Sequence, residues 1–234
     1  MLRNRRLQIR CYLTLFLVPL IVVVGCAKTQ KNFHPPSFEK GESCHYSVAT
    51  VEYGTEGPDV EVGIELLDNG NLAVKESLYN SVVEVDPKTL LPVRSEIIQK
   101  TRDGTYVLTD QFLSGGRLNY ERKGPLSTNS GEIDLGHTSY HIHTMFLLFR
   151  AIDLTRGNTM RFYFFSPYSQ GTVLARISVE GFEPVVIGEK TVESYRLLLR
   201  FEQYEVNAWI DASPRHQVLK FSNGVIELSL KDCD

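Results

Sequence analysis

Three histidines fall within seven residues: His137, His141 and His143 in "GHTSYHIHTMF". Imidazole nitrogens bind transition metals, and zinc asks for three or four ligands with a supporting outer shell. In an extended chain all three side chains share one face, with Glu132 and Asp134 available to complete a set. In a helix His137 and His141 are one turn apart and His143 faces elsewhere. No cysteine lies nearby. The preferred reading is a polar helix start with solvated histidines, and no metal or cofactor is expected.

Other catalytic patterns are missing. There is no G-x-S-x-G elbow, and "SPRH" at 213–216 reads as a hairpin turn. No Gly-rich phosphate loop is present. Paired carboxylates such as Glu61 with Glu65, or Glu202 with Glu205, fall where alternation puts the wet face of a strand. No catalytic residue is assigned, and the protein is read as a non-enzyme. A metal-dependent hydrolase built on the histidine cluster is the minor alternative.

The four cysteines sort by position. "MLRNRRLQIR" carries four arginines and no acid, and an apolar run of about 14 residues follows, from Cys11 to Val24. A membrane-spanning helix needs roughly 20 apolar residues. A basic start, a short apolar middle and a small residue before the cut form a secretory signal. "Val23-Val24-Gly25-Cys26" resembles the bacterial lipobox. That resemblance implies cleavage before Cys26 and acylation of its thiol and amino terminus. Ala27, in place of Asp, implies the outer membrane, with the protein facing the periplasm. Residues 1–25 are thus the signal, 26–40 a lipidated tether and 41–234 one domain. Cys11 leaves with the signal and Cys26 is consumed by lipid. Cys44 and Cys233 remain, and export favours their joining as a disulfide.

Loss of the signal's four arginines moves the formal charge from −3 to −7. No basic stripe suits nucleic acid, so none is expected as a partner. The expected partners are the membrane, through the lipid, and a lipid or protein of the envelope.

The elements that must position these residues are mostly strands. "VEVGIEL" at 60–66 alternates apolar and polar residues, and Asp68-Asn69-Gly70, Asp103-Gly104, Gly115-Gly116 and Asn223-Gly224 mark turns. About a dozen strands are expected, chiefly antiparallel, in an all-β open or spiral barrel or half-barrel. One helix interrupts them, from about 140 to 153, where Met145, Leu148 and Ile152 recur at helical spacing. "MRFYFFSPY" at 160–168 puts Phe162 and Phe164 on one face and Tyr163 and Phe165 on the other. It reads as a central strand covered by the helix. The alternative is a cavity wall for an apolar ligand, formed by Phe146, Leu148, Phe162 and Phe164.

Several segments together, "VVEVDPKTLLPVRSEIIQK" (82–100), the helix region 143–165, "VEGFEPVVIGEKTVESYRL" (179–197) and "NAWIDASPRHQVLKFSNGVIELSL" (207–230), resemble the DUF3108 family of bacterial exported proteins. The resemblance covers most of 40–231 and implies an antiparallel barrel-like fold and an envelope location, with no catalytic residues. Where that family has an acidic residue and a serine near its helix start, this chain has His141 and Thr144. The functional reading is a lipid-anchored envelope protein that binds partners or supports envelope assembly. The alternative is a carrier of lipid or another hydrophobic ligand.

Overall fold

Alternation dictates the strands, and the computed structural model describes them for His34, residues 41–202 and residues 204–234. Cys26, the signal and most of the tether lie outside these described residues. In chain order the first strands are β1 (Glu42–Thr50), β2 (Glu56–Leu66), β3 (Leu72–Glu76), β4 (Ser81–Val85), β5 (Pro92–Thr101), β6 (Gly104–Leu113), β7 (Arg117–Lys123) and β8 (Thr128–Asp134). A two-residue strand β9 (Tyr140–His141), a 3-10 turn (Ile142–Thr144) and helix α1 (Met145–Ala151) follow. The chain then resumes with β10 (Thr159–Ser166), β11 (Gly171–Ile187), β12 (Lys190–Phe201), β13 (Tyr204–Asp211), β14 (Val218–Ser222) and β15 (Ile226–Cys233).

All fifteen strands belong to one sheet. Neighbours in the sheet are neighbours in sequence, except where β1 pairs with β15 and joins the two chain ends. Every pairing is antiparallel apart from the short parallel contact of β9 with β10. The two edges are β8 and β9, so the sheet is an open barrel. Fifteen strands exceed the expected dozen because β3, β4 and β9 are too short to show a period.

The helix is shorter than the sequence predicts. Residues 140–141 pair as a strand with Phe164 and Phe165, and regular α-helix runs only over Met145–Ala151. Thr144 offers no side-chain cap, and Ile152 is already extended, which ends it. Gly157 has φ +81° and turns the chain toward β10. From Phe146 to Ala151 every residue of α1 is buried. A helix apolar all round belongs in a core, and this one fills the inside of the curled sheet.

The two faces of β10 have separate partners. Phe162 and Phe164 join the main core with Leu147, Leu148, Phe149 and Leu197. On the opposite face Phe165 is fully buried and meets Phe112 of β6 edge-on, ring centroids 5.4 Å apart. The strand is thus covered on both faces, by the helix-filled core and by β6. Beneath this outer layer Asp110 is fully buried and accepts from Arg122 at 2.6 Å and from the Ser95 hydroxyl at 2.9 Å. Burial pushes the Asp110 carboxyl up, against the downward pull of Arg122 and Ser95. Arg122 also donates to the Pro167 carbonyl at 3.3 Å, tying β7 to the turn after β10.

Cys44 and Cys233 are register partners on β1 and β15 and form a disulfide across 189 residues. It fastens the first strand to the last. At this end the Arg150 guanidinium binds the Glu42 carboxylate and donates to the Arg215 carbonyl. The His34 N–H donates to the Ala151 carbonyl at 2.7 Å, so the incoming chain meets the barrel where α1 ends.

Candidate functional site

Four hairpin turns meet at the other end: those after β1, β3, β12 and β14. They are stitched together in places, as where the Val51 N–H donates to the Val225 carbonyl at 2.8 Å. Below them α1 begins, and between its first turn and the strands lies a cavity of about 270 Å³. Its walls are mostly apolar: Met145 and Phe146 of α1, Phe201 and Val206 of β12 and β13, and Phe221 and Leu228 of β14 and β15. Phe146 is held there by Tyr46 and Phe221, with ring centroids 5.3 and 5.5 Å away.

One wall is polar. Glu76, the last residue of β3, presents Oε2 at 2.9 Å from Nδ1 of His143. Nε2 of the same ring lies 3.1 Å from the Tyr168 hydroxyl. The carboxylate accepts the Nδ1 proton, which leaves Nε2 to accept from Tyr168. The Tyr168 pKa is pushed up to about 12, by burial and then by Tyr79 and Glu76, so its hydroxyl keeps the proton it donates. Tyr79 lies against the His143 ring with centroids 4.8 Å apart. The His143–Glu76 pair is almost fully enclosed, its side chains 4% and 12% exposed.

The three candidate metal ligands separate into different environments. His143 is committed to Glu76 and Tyr168. His137 bonds the Thr172 hydroxyl at 3.0 Å and lies against Tyr163 with centroids 3.6 Å apart. It reaches that place because Gly116, with φ +78°, lets the chain pass: a Cβ there would lie 2.5 Å from the His137 carbonyl oxygen. His141 is fully buried, accepts the His143 N–H on Nδ1 at 3.2 Å, and among the described residues has no partner for Nε2. Burial holds its pKa well below the usual histidine value, and the neighbouring His143 and Arg122 disfavour a proton there further. The expectation of solvated histidines is therefore corrected: His141 and His143 are buried. The close grouping of metal-capable side chains among the described residues is instead Glu42, Cys44 and Cys233. Its two sulfurs are bonded to each other and its carboxylate to Arg150, so it offers no thiolate.

Of the four cavity candidates, Phe146 lines the cavity, whereas Leu148, Phe162 and Phe164 lie in the filled core. Leu148 of α1 and Phe162 and Phe164 of β10 are all buried in the core cluster and do not line the cavity. Glu76, Tyr79 and Tyr168 carried no sequence signal. Glu76 and Tyr79 belong to the β3–β4 hairpin and Tyr168 to the β10–β11 hairpin, and only the tertiary fold brings the ends of these two hairpins together.

No family model matches the chain, and no curated protein matches it. Two solved structures align over most of its length. The hypothetical lipoprotein YmcC from Escherichia coli (K12) shares 11% identity at a TM-score of 0.30, over 81% of this chain and 86% of its own. LprF from Mycobacterium bovis shares 11% identity at a TM-score of 0.27, over 88% and 87%. Likeness at that level carries no argument, and the functional reading rests on the chain itself.

Proposed function

We propose that this protein is a lipid-anchored component of the bacterial envelope that binds the apolar part of a ligand in the end cavity without catalysing a reaction. The cavity is the observation that supports this reading. A dry space of about 150 Å³ between leucine, isoleucine and phenylalanine takes up benzene, and pockets for drug-sized ligands begin near 300 Å³. A volume of about 270 Å³ suits one end of a hydrocarbon chain and not a whole lipid. The Glu76–His143–Tyr168 chain offers the ligand a polar group at one wall and an apolar surface elsewhere.

The envelope location is supported by the basic, apolar and small-residue order before Cys26. Ala27 supports the outer membrane. A hydrolase is disfavoured because both ring nitrogens of His143 are already engaged and His137 faces another set of partners. Native mass spectrometry before and after organic extraction tests the reading. The expected result is a single extractable apolar adduct, or its uptake when palmitate is added back. Protein that carries none and takes up none would contradict it.

A further inference from the structure

Three arginines stand in a row across the outer wall of the barrel. Register places Arg161 of β10 opposite Arg176 of β11, and Arg176 opposite Arg200 of β12. Their sequence neighbours Met160, Ala175 and Leu199 are buried in the core, so all three arginines face out and are exposed. Like charges set directly opposite each other on neighbouring strands are destabilising. Arg200 is relieved by Glu205 at 2.6 Å. Among the described residues no carboxylate comes within ion-pair distance of Arg161 or Arg176. Arg161 and Arg176 are thus a positive pair without a carboxylate partner among the described residues, on a chain whose net charge is −7 once residues 1–25 are removed.

Apolar side chains lie beside the row, toward the cavity end. Leu174 precedes Arg176 on the same face of β11, and Tyr204 starts the strand after Arg200. Both are about half exposed, and Val225 at the neighbouring turn is 69% exposed. Tyr79 and Leu78 continue this rim around the cavity mouth. Apolar tips backed by guanidinium groups are what an anionic bilayer accepts: the tips enter the headgroup boundary and the guanidinium groups meet phosphate.

The described chain enters at the end of the barrel away from the rim. His34 is bonded to the end of α1, at the pole opposite the rim.

We infer that the cavity end is a docking surface for an anionic phospholipid bilayer, held by the Arg161–Arg176–Arg200 row and separate from the attachment at Cys26. This holds whatever fills the cavity. The test places the full chain in nanodiscs of neutral phosphatidylcholine and measures its affinity for labelled vesicles rich in phosphatidylglycerol. Wild type binds these and not vesicles of phosphatidylcholine alone. Arg161→Gln/Arg176→Gln weakens binding about thirtyfold, at about fivefold per arginine. Both side chains are exposed, so the double variant keeps its melting temperature. Leu174→Ser/Tyr204→Ser weakens binding while preserving its salt dependence. Equal binding of neutral and anionic vesicles, no binding of either, or a double glutamine variant that binds like wild type would each overturn the inference. Capture of poly-glutamate by a chain that ignores vesicles would assign the row to an acidic protein partner and also overturn it. Ligand loss from the cavity is read separately by mass, so failure of one reading leaves the other intact.

Discussion

His143 and Glu76 are 67 residues apart in sequence, and Nδ1 of one lies 2.9 Å from Oε2 of the other inside the barrel end. The pair closes one wall of the cavity and fixes the first turn before α1 against β3. Removing one partner leaves the other buried without its bond, which costs about 1–3 kcal/mol. Glu76→Ala and His143→Ala should each lower the unfolding free energy by an amount in that range, read from the shift of the urea midpoint. The double variant should cost clearly less than the two together, since the groups share one interaction. Additive losses would show that the pair contributes nothing jointly.

A second expectation concerns acid. His141 is held neutral by burial, with its pKa well below 6.5. An unfolded histidine takes up a proton near pH 6.5 while this one does not, so the unfolded state binds more protons as pH falls. Stability is therefore lost as pH falls below about 6.5. An asparagine in its place would keep an acceptor for the His143 N–H and remove the titration, so His141→Asn should flatten the profile below about pH 6.5. His45, whose pKa is raised by its hydrogen bond to Asp232, acts in the opposite sense. The comparison is therefore variant against wild type, by urea denaturation at each pH. Equal slopes would contradict the assignment.

The disulfide gives a third. It closes a loop of 189 residues, worth about 5 kcal/mol in the chain-entropy account. Cys44→Ser/Cys233→Ser should lose most of that in denaturation midpoints while the strand content seen by circular dichroism is kept. Alkylation of the oxidised protein should label neither cysteine.

The N-terminal reading gives a fourth. Cys26→Ala should release the protein from the membrane fraction, since one acylated cysteine is the proposed attachment. Retention without acylation would contradict it.

How far the sequence is readable depends on range. Period-two runs such as Val60, Val62, Ile64 announce strands because alternation is local. Cys44 and Cys233 pair once the other two cysteines are assigned elsewhere, which needs counting and no geometry. The extent of α1 is overestimated because residues 140–141 have helix-compatible neighbours, and their pairing with Phe164 and Phe165 comes from the tertiary fold. The cavity wall is illegible for the same reason. His143 stands out by type, but Glu76 and Tyr168 lie in distant hairpins, and no local pattern marks a side chain whose partner arrives through the sheet. Phe162 and Phe164 show their face correctly, but a face does not tell a filled core from a cavity; the packing of α1 decides that.

Uptake of an apolar group by the end cavity is the property on which the functional reading depends. Titration of the purified protein with a polarity-sensitive fluorescent fatty acid measures it, with Val206→Phe, which projects a ring into the cavity, alongside. Saturable binding at one site per chain is expected, at least tenfold weaker in the variant, with the fold retained because the ring enters existing space. Wild type that shows no saturable binding, or a variant that binds equally well, would contradict it.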